Sequence, residues 1–278
     1  MSRRAFSTLG YALSRYRNIC PSWSQTQSLL GVAPEATPDH VAWRTFKRYG
    51  GIQGVSKILQ EDGYVPIREY QFPHLNVEAQ HFEHVSDEDQ PLVFVSELND
   101  EGLPKEASDL IVDRIGATHL SRWDGASTGT ELWGAPSYRG FKTLEQHTAY
   151  GAWVYVFGNL LNHAAFNVRN TRFYNPGDHY GEALENCVVA MADSGISINQ
   201  TKGSTIHVSN DGLLHQASTS ADDKEVQWSD GKRRKIPGVF VELIMRLPDS
   251  TGELKEGFEG ENAARLFTST ERRRRHYD

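Results

Sequence analysis

The stretch Asp39-His40-Val41-Ala42-Trp43-Arg44-Thr45-Phe46 decides the fold. It is typical of a strand, in which successive side chains point to opposite faces. His40, Ala42 and Arg44 therefore share one face, and the residues between them face a packed layer. The imidazole lies about 13 Å along the strand from the guanidinium, at about 3.3 Å per residue. This spacing suits a metal-bound anionic substrate whose far end needs a positive partner, with a hydrogen-bonded core histidine as the structural alternative for His40.

Composition limits the class of protein. The chain has 278 residues, of which 38% are hydrophobic and 23% charged, and this is typical of a globular protein. Its apolar runs are shorter than the roughly 20 residues that cross a bilayer. The net charge of -7 argues against a general nucleic-acid binder, which needs clustered basic residues. We therefore expect a small-molecule partner, and neither nucleic acid nor a membrane.

Cysteine usage and the charge of the first residues bear on the compartment. Cys20 and Cys187 are far apart in sequence and form no CxxC spacing, which indicates a reducing compartment such as the cytoplasm. A mitochondrial or plastid address is the alternative, because four arginines precede the first acidic residue, Glu35. These are Arg3, Arg4, Arg15 and Arg17. However, residues 11–30 are typical of a helix that opens a domain, so at most about the first ten residues are expendable.

The segment from Asp39 to Leu98 predicts the order strand, helix, strand, strand, strand. After the first strand comes a helical pattern ended by Gly63, then three extended segments separated by turn residues. The predicted helix is 52–61, and the predicted strands are 64–72, 77–84 and 92–98.

A similar order returns near the end of the chain. It begins with an apolar strand at 160–166, continues with a helix at 181–192 and ends with three strands. These strands are predicted at 196–199, 213–220 and 239–246. The charged run Lys232-Arg233-Arg234-Lys235 is typical of a polar hairpin turn, and Arg272-Arg273-Arg274-Arg275 of a solvated tail.

The predicted organisation is a single catalytic domain over residues 1–278. It contains an N-terminal helical segment (1–38), a first βαβββ module (39–98), a helical connector (104–158), a second βαβββ module (159–247) and a tail (248–278). Two such modules around a shared pocket resemble the vicinal-oxygen-chelate architecture of glyoxalase and of the extradiol and 4-hydroxyphenylpyruvate dioxygenases. The expected fold class is thus α+β, with a curved sheet around a metal pocket and a helical insertion.

In such folds the metal ligands lie on the first and last strands of a module. His40 and His163 occupy the two first strands, and Glu242 lies on the last strand of the second module. Two histidines and one carboxylate form the donor set that holds ferrous iron on one face and leaves the other positions open.

Several strings resemble the 2-oxoadipate dioxygenase/decarboxylase family, from about Tyr11 to Leu247. They are Asp39-His40-Val41-Ala42-Trp43-Arg44-Thr45-Phe46, Glu61-Asp62-Gly63-Tyr64, Phe94-Val95-Ser96-Glu97-Leu98, Asn162-His163, Leu213-Leu214-His215-Gln216-Ala217-Ser218-Thr219 and Ile236-Pro237-Gly238-Val239-Phe240-Val241-Glu242. The resemblance implies that Fe(II) is held by His40, His163 and Glu242, and that Arg44 contacts the substrate.

The resemblance also implies the reaction. A 2-oxo acid chelates iron through its C1 carboxylate and C2 carbonyl, and dioxygen is the second partner. Oxidative decarboxylation and hydroxylation then convert 2-oxoadipate to 2-hydroxyglutarate and carbon dioxide. The planar guanidinium of Arg44 suits a substrate carboxylate, with a structural salt bridge as its alternative role.

Four further polar residues are weaker candidates for the site, and two other functions are possible on the same fold. Glu97 is placed on the last strand of the first module, where a hydrogen bond that supports the metal site is favoured over a fourth ligand. Gln216, Ser218 and Lys202 are candidates to line the pocket. The rival functions are a glyoxalase-like metal-dependent isomerase or lyase, and a non-catalytic binding protein on the same fold.

Overall fold

The computed structural model describes residues 8–87, 89–116, 133–177, 181–200 and 203–260. Within these ranges, every helix is too short or too polar to cross a membrane. The helices are α1 (Thr8–Ile19), α2 (Pro21–Leu30), α3 (Gly51–Glu61), α4 (Lys105–Ile115), α5 (Tyr138–His147), α6 (Ala149–Phe157) and α7 (Glu182–Asp193).

Eight strands form one mixed sheet in the order β2-β3-β4-β1-β5-β10-β7-β6. They are β1 (His40–Phe46), β2 (Tyr64–Phe72), β3 (Val77–His84), β4 (Leu92–Leu98), β5 (Leu161–Asn167), β6 (His207–Val208), β7 (Leu214–Ser218) and β10 (Phe240–Arg246). The sheet curls into a half-barrel, which confirms the predicted α+β class. Because β1 and β10 lie near its centre, every residue of both strands is buried.

The first half of the sheet confirms the predicted strand-helix-strand-strand-strand order. Strands β2, β3 and β4 have the predicted bounds, and β1 and α3 begin within one residue of theirs. Strand β1 pairs in parallel with β4 on one side and antiparallel with β5 on the other. This last pairing joins the two halves at the middle of the sheet.

The second half departs from the prediction at one strand. Strand β5, helix α7, strand β7 and strand β10 lie where expected, but residues 196–199 contribute only a single bridge, between Ile198 and Thr219. The outer strand is β6 instead, which pairs with β7 through two residues. A charged hairpin forms a separate two-stranded sheet from β8 (Asp223–Gln227) and β9 (Arg233–Pro237). It turns at Gly231, whose φ is 77°, so the charged run 232–235 lies mainly in β9 and not in the turn, where it was predicted.

The helices at the start of the chain belong to the core. The single helix predicted at 11–30 is two helices, because Pro21 cannot continue the hydrogen-bonding pattern of α1 but is well suited to begin α2. Trp23 of α2 stacks on Phe166 of β5 at 4.0 Å, and the Tyr16 hydroxyl of α1 donates to the Phe240 carbonyl of β10. The connector is helical as predicted in its described part, and the single-domain organisation stays a prediction.

Candidate metal centre

The three predicted ligands meet at one point in the middle of the sheet. Nε2 of His40 lies 3.3 Å from Nε2 of His163 and 3.1 Å from Oε2 of Glu242. Nε2 of His163 lies 3.3 Å from that same carboxylate oxygen. His40 and His163 are 2% and 6% exposed, and Glu242 is fully buried. Among the described residues, this is the group of His, Cys, Asp and Glu that has the geometry of a metal site.

These distances fit a divalent cation. Neighbouring ligands of a six-coordinate ion lie about 3.0 Å apart when each bond is about 2.1 Å long. The three donor atoms lie 3.1 to 3.3 Å apart, so one ion can contact all of them with little movement. Imidazole nitrogens with one carboxylate are suitable ligands for a transition metal.

Each of the two candidate metal-binding histidines is oriented by the residue that precedes it. Nδ1 of His40 lies 3.0 Å from Oδ1 of Asp39, and Nδ1 of His163 lies 3.1 Å from Oδ1 of Asn162. An oxygen at this position can only accept, so both histidines carry their proton on Nδ1. Nε2 is then the atom that is available to a metal, as in other sites where an outer acceptor fixes the tautomer.

The two oxygens of the Glu242 carboxylate have different partners. Oε1 accepts a hydrogen bond from Nε2 of Gln216 at 2.9 Å, and Oε2 faces the histidines. Burial acts to raise the pKa of Glu242, but hydrogen bonds with His163 and His40 outweigh it and lower the pKa. The carboxylate is therefore the anionic donor that a metal cation requires.

The two histidines differ in protonation. Burial lowers the pKa of His40, but hydrogen bonds with Asp39 and Glu242 outweigh it and raise this pKa to about 9. Burial lowers the pKa of His163 to about 4, and the bond with Glu242 only partly opposes this change. Without a metal, a proton on His40 thus occupies the place between the imidazole and Glu242, and a bound cation would replace it.

A buried ion pair supports the His40 side of the site. Asp39 accepts from Nε and Nη2 of Arg246, each at 2.9 Å, in a bidentate arrangement. The Arg246 and Asp39 side chains are 8% and 4% exposed. The Asp39 pKa is held well below its usual range, because Arg246 and His40 together outweigh the effect of burial. Asp39 therefore remains an anion that orients His40.

A cavity opens from the three ligands toward Arg44. Its apolar wall is formed by Ala42, Phe94, Leu214, Ile244 and Phe258, and its polar side chains include Arg44, Ser96, Asn162 and Gln216. Arg44 is 2% exposed, and its guanidinium lies 5.3 Å from the ring centre of Tyr150 and 5.7 Å from that of Trp153. These rings of α6 hold the cation in place through cation–π contacts.

The segment 255–259 covers the cavity on the solvent side. Nη1 of Arg246 donates to the carbonyls of Lys255 at 3.1 Å and Gly257 at 2.7 Å. This anchoring places the Phe258 ring 4.9 Å from the rings of both His40 and Phe94. The Glu259 side chain is 28% exposed, more than the cavity residues behind it, so the cavity meets solvent at this segment.

Comparison with known proteins identifies the family. A family model described as 2-oxoadipate dioxygenase/decarboxylase matches residues 125–253. A rice protein (Oryza sativa subsp. japonica) named 2-oxoadipate dioxygenase/decarboxylase, chloroplastic/amyloplastic, is 31% identical in an alignment 263 positions long that covers 84% of this chain and 68% of that protein. The chain belongs to the 2-oxoadipate dioxygenase/decarboxylase family.

Solved structures agree with this assignment. The structure of a hydroxyglutarate synthase from Oryza sativa in complex with 2-oxoadipate has a TM-score of 0.84, is 26% identical and covers 97% of this chain and 94% of that one. A glyoxalase-superfamily protein from Ralstonia eutropha has a TM-score of 0.67 at 19% identity, with 92% and 85% covered. Its similarity concerns the fold, which confirms the vicinal-oxygen-chelate-like architecture.

The prediction that Glu97 supports the metal site through a hydrogen bond is wrong. Glu97 lies opposite Thr45 in the β1–β4 pairing, on the face away from His40 and Ala42. Its carboxylate accepts from the Ile52 backbone N–H at 2.6 Å, at the start of α3. It packs so closely on Gly51 that a Cβ there would lie 1.8 Å from Oε2, and Gly51 has a φ of +45°. Glu97 therefore stabilises a helix start and does not support the metal site.

The strand register identifies the residue of the first half of the sheet that corresponds to Glu242 in the second half. The two halves correspond if His40 matches His163, and Ala42 then matches Ala165. Ala165 pairs with Glu242 on β10, while Ala42 pairs with Phe94 on β4. The counterpart of Glu242 is thus a phenylalanine, and the corresponding position of the first half forms part of the apolar wall.

The remaining predicted residues have different surroundings. Gln216 lines the cavity, where its amide holds Glu242. Ser218 lies opposite Glu242 on β7, but its hydroxyl accepts from Nδ2 of Asn199 at 3.4 Å, and it does not line the cavity. Lys202 lies outside the described residues.

Sequence reasoning missed the residues that orient the ligands. Asp39 and Asn162 each precede a metal histidine, so a repeated acceptor-histidine pair was visible in the sequence. Arg246 and Phe258 carry no local signal, because their contacts depend on how the last strand and the following segment return to the site.

Proposed function

We propose that this protein is an Fe(II)-dependent dioxygenase that converts 2-oxoadipate and dioxygen to 2-hydroxyglutarate and carbon dioxide. The observation that carries the proposal is the buried group of His40, His163 and Glu242 in one cavity with the buried cation Arg44. Membership of the family and the similarity to a structure in complex with 2-oxoadipate support the choice of substrate.

The three ligands would hold iron, which when bound activates dioxygen and binds a 2-oxo acid through its carboxylate and carbonyl oxygens. The chain's own residues supply the rest. Asp39 and Asn162 hold a proton on Nδ1 of each histidine and so direct Nε2 toward the site, and Gln216 binds one oxygen of Glu242 and leaves the other facing the histidines. These hydrogen bonds fix the ligand atoms before the substrate arrives.

Arg44 would bind the carboxylate at the far end of the substrate. Its planar guanidinium offers paired donors and stays charged at all working pH values. Tyr150 and Trp153 hold it in place, so the distance between the metal site and the cation is fixed. A dicarboxylate of matching length would bind at both ends, while apolar side chains such as Leu214 and Ile244 surround its methylene groups.

The reaction balances within one substrate molecule. The C1–C2 bond breaks and C1 leaves as carbon dioxide. One oxygen atom of dioxygen enters the new carboxylate and the other enters the new hydroxyl. The oxidisable 2-oxo acid and the carbon that is hydroxylated belong to the same molecule, so a separate 2-oxoglutarate co-substrate is not needed.

An oxygen electrode tests the proposal. We expect protein reconstituted anaerobically with Fe(II) to consume one dioxygen for each carbon dioxide released from 2-oxoadipate, and to form 2-hydroxyglutarate. Labelled dioxygen should place one atom in the hydroxyl and one in the new carboxylate. A product formed at the same rate without oxygen would refute the dioxygenase proposal and indicate isomerase or lyase chemistry.

For the compartment we propose the cytoplasm, with a plastid as the alternative favoured by the name of the rice relative. Helix α1 begins at Thr8 and buries Leu9, Ala12 and Tyr16, so it belongs to the folded protein. Microscopy of the chain with a C-terminal fluorescent protein distinguishes the two compartments.

A further inference from the structure

Asn162 occupies an irregular position in the sheet. In the β1–β5 pairing, Ala42 lies opposite His163 but Trp43 lies opposite Leu161, so Asn162 is an extra residue on β5. Such a β-bulge changes the direction of a side chain and occurs often beside active sites. Regular alternation would place neighbouring residues on opposite faces, yet Asn162 and His163 both line the cavity.

Within the described residues, the oxygen of the Asn162 amide has a hydrogen-bond partner and its nitrogen has none. Its oxygen accepts from Nδ1 of His163 at 3.1 Å. Its nitrogen Nδ2 is buried and has no hydrogen-bond partner in the described part of the chain, and the residue as a whole is 0% exposed. A buried donor without an acceptor is costly. Because Asn162 lines the cavity, a molecule bound there can supply the missing acceptor.

The orientation of this amide follows from the metal site. His163 can bind a metal through Nε2 only if Nδ1 carries the proton, so the atom of Asn162 that faces it must be the oxygen. The amide nitrogen then has to point elsewhere. The bulge lies beside Ala42 and Trp43 of β1, on the side of His163 that leads toward Arg44.

We propose that Asn162 is a specificity-determining residue whose Nδ2 donates to the far carboxylate of a 2-oxo diacid, together with Arg44. Arg44 and Asn162 line the same cavity, and a cation together with a neutral donor is suited to a carboxylate, which accepts several hydrogen bonds. One side chain thus orients a metal ligand with its oxygen and selects the substrate with its nitrogen. This inference rests on the proposed function.

The test compares a diacid with a monoacid. Binding of 2-oxoadipate and of 2-oxohexanoate, which lacks the far carboxylate, is measured without oxygen on Fe(II)-loaded protein, and the rate of metal release to a chelator is recorded separately. Asn162→Asp keeps an acceptor for His163 but removes the donor, and Asn162→Ala removes both. The control is Asn159→Ala, since Asn159 is also buried with an unpartnered amide but does not line the cavity.

We expect wild-type protein to prefer the diacid, and both Asn162 variants to reduce that preference by about tenfold or more. Asn162→Asp should release metal at close to the wild-type rate, whereas Asn162→Ala should release it faster because His163 loses its acceptor. Asn159→Ala should retain the preference.

Two results would overturn the proposal in different ways. An unchanged preference in both Asn162 variants, with wild-type protein still preferring the diacid, would show that Asn162 only orients His163. If wild-type protein does not prefer the diacid, the proposed substrate fails and the role of Asn162 fails with it.

Discussion

Replacement of Arg246 by methionine should destabilise the protein far more than loss of an ordinary surface charge. The Arg246 guanidinium forms two hydrogen bonds with Asp39 and two with the backbone of the covering segment, and both side chains of the pair are at most 8% exposed. Arg246→Met leaves the Asp39 carboxylate buried without its cation. Breaking a buried pair in this way costs about 3 to 5 kcal/mol.

The matched control is Arg233→Met on the β8–β9 hairpin. Arg233 pairs with Glu225, and these side chains are 67% and 51% exposed. An exposed pair contributes about 0 to 1 kcal/mol. Urea unfolding followed by tryptophan fluorescence measures both free energies of unfolding, and the slope shows whether the unfolding transition remains comparable.

A double variant tests the cause. Asp39→Asn combined with Arg246→Met removes the carboxylate charge that has lost its arginine, so it should be more stable than Arg246→Met alone, although the backbone hydrogen bonds of Arg246 remain lost. A loss of stability in Arg246→Met no greater than that in Arg233→Met would contradict a stabilising role for the buried pair. The explanation from a buried charge without its arginine is refuted if removal of the Asp39 charge brings no recovery.

Three further predictions concern the metal site and its cavity. Alanine at any one of the ligands should remove bound Fe(II) in elemental analysis of anaerobically prepared protein, whereas Glu97→Gln should retain it; these ligands are His40, His163 and Glu242. A ligand variant that keeps wild-type iron content would exclude that residue from the metal site. Arg44→Lys should keep the metal but lose about 2 to 4 kcal/mol of transition-state stabilisation with 2-oxo diacids, because an ammonium lacks the planar paired donors. A kcat/KM within about twofold of wild type would reject Arg44 as the carboxylate-binding residue. Phe258→Ala should release metal to a chelator about tenfold faster, because a ring in contact with His40 is removed. Glu256→Ala changes an exposed side chain in the same segment and should have no effect, and equal release rates in the two variants would contradict a covering role for Phe258.

The sequence was sufficient to predict secondary structure where a clear apolar pattern is bounded by turn residues. Strands β2 to β4 have their predicted bounds because turn residues separate clear extended segments. The meeting of His40, His163 and Glu242 could be predicted because each lies on the strand that the repeated element order assigns to it. The error at 11–30 was avoidable, since Pro21 marks the break.

Other features depend on contacts that local pattern does not contain. The strand of Glu97 was predicted correctly, but the face of the sheet on which it lies was not. Glu97 lies three residues beyond Phe94, the counterpart of Glu242, and this odd spacing places it on the opposite face. The bulge at Asn162 interrupts the two-residue period on which such predictions depend. The covering segment is fixed by long-range bonds, such as that from the Phe258 backbone to the Tyr70 hydroxyl, 188 residues away in sequence.

The placement of the ligands on both halves of the sheet also determines when the site can form. His40 is separated from His163 by 123 residues and from Glu242 by 202, so the three meet only after β1 and β5 have paired and β10 has joined them. Contacts of such long sequence separation form late in folding. Binding of a cation to all three residues therefore requires that these strands have already paired. Once bound, the cation joins the two halves where they meet and makes their separation less favourable, as any ligand specific for the native state does.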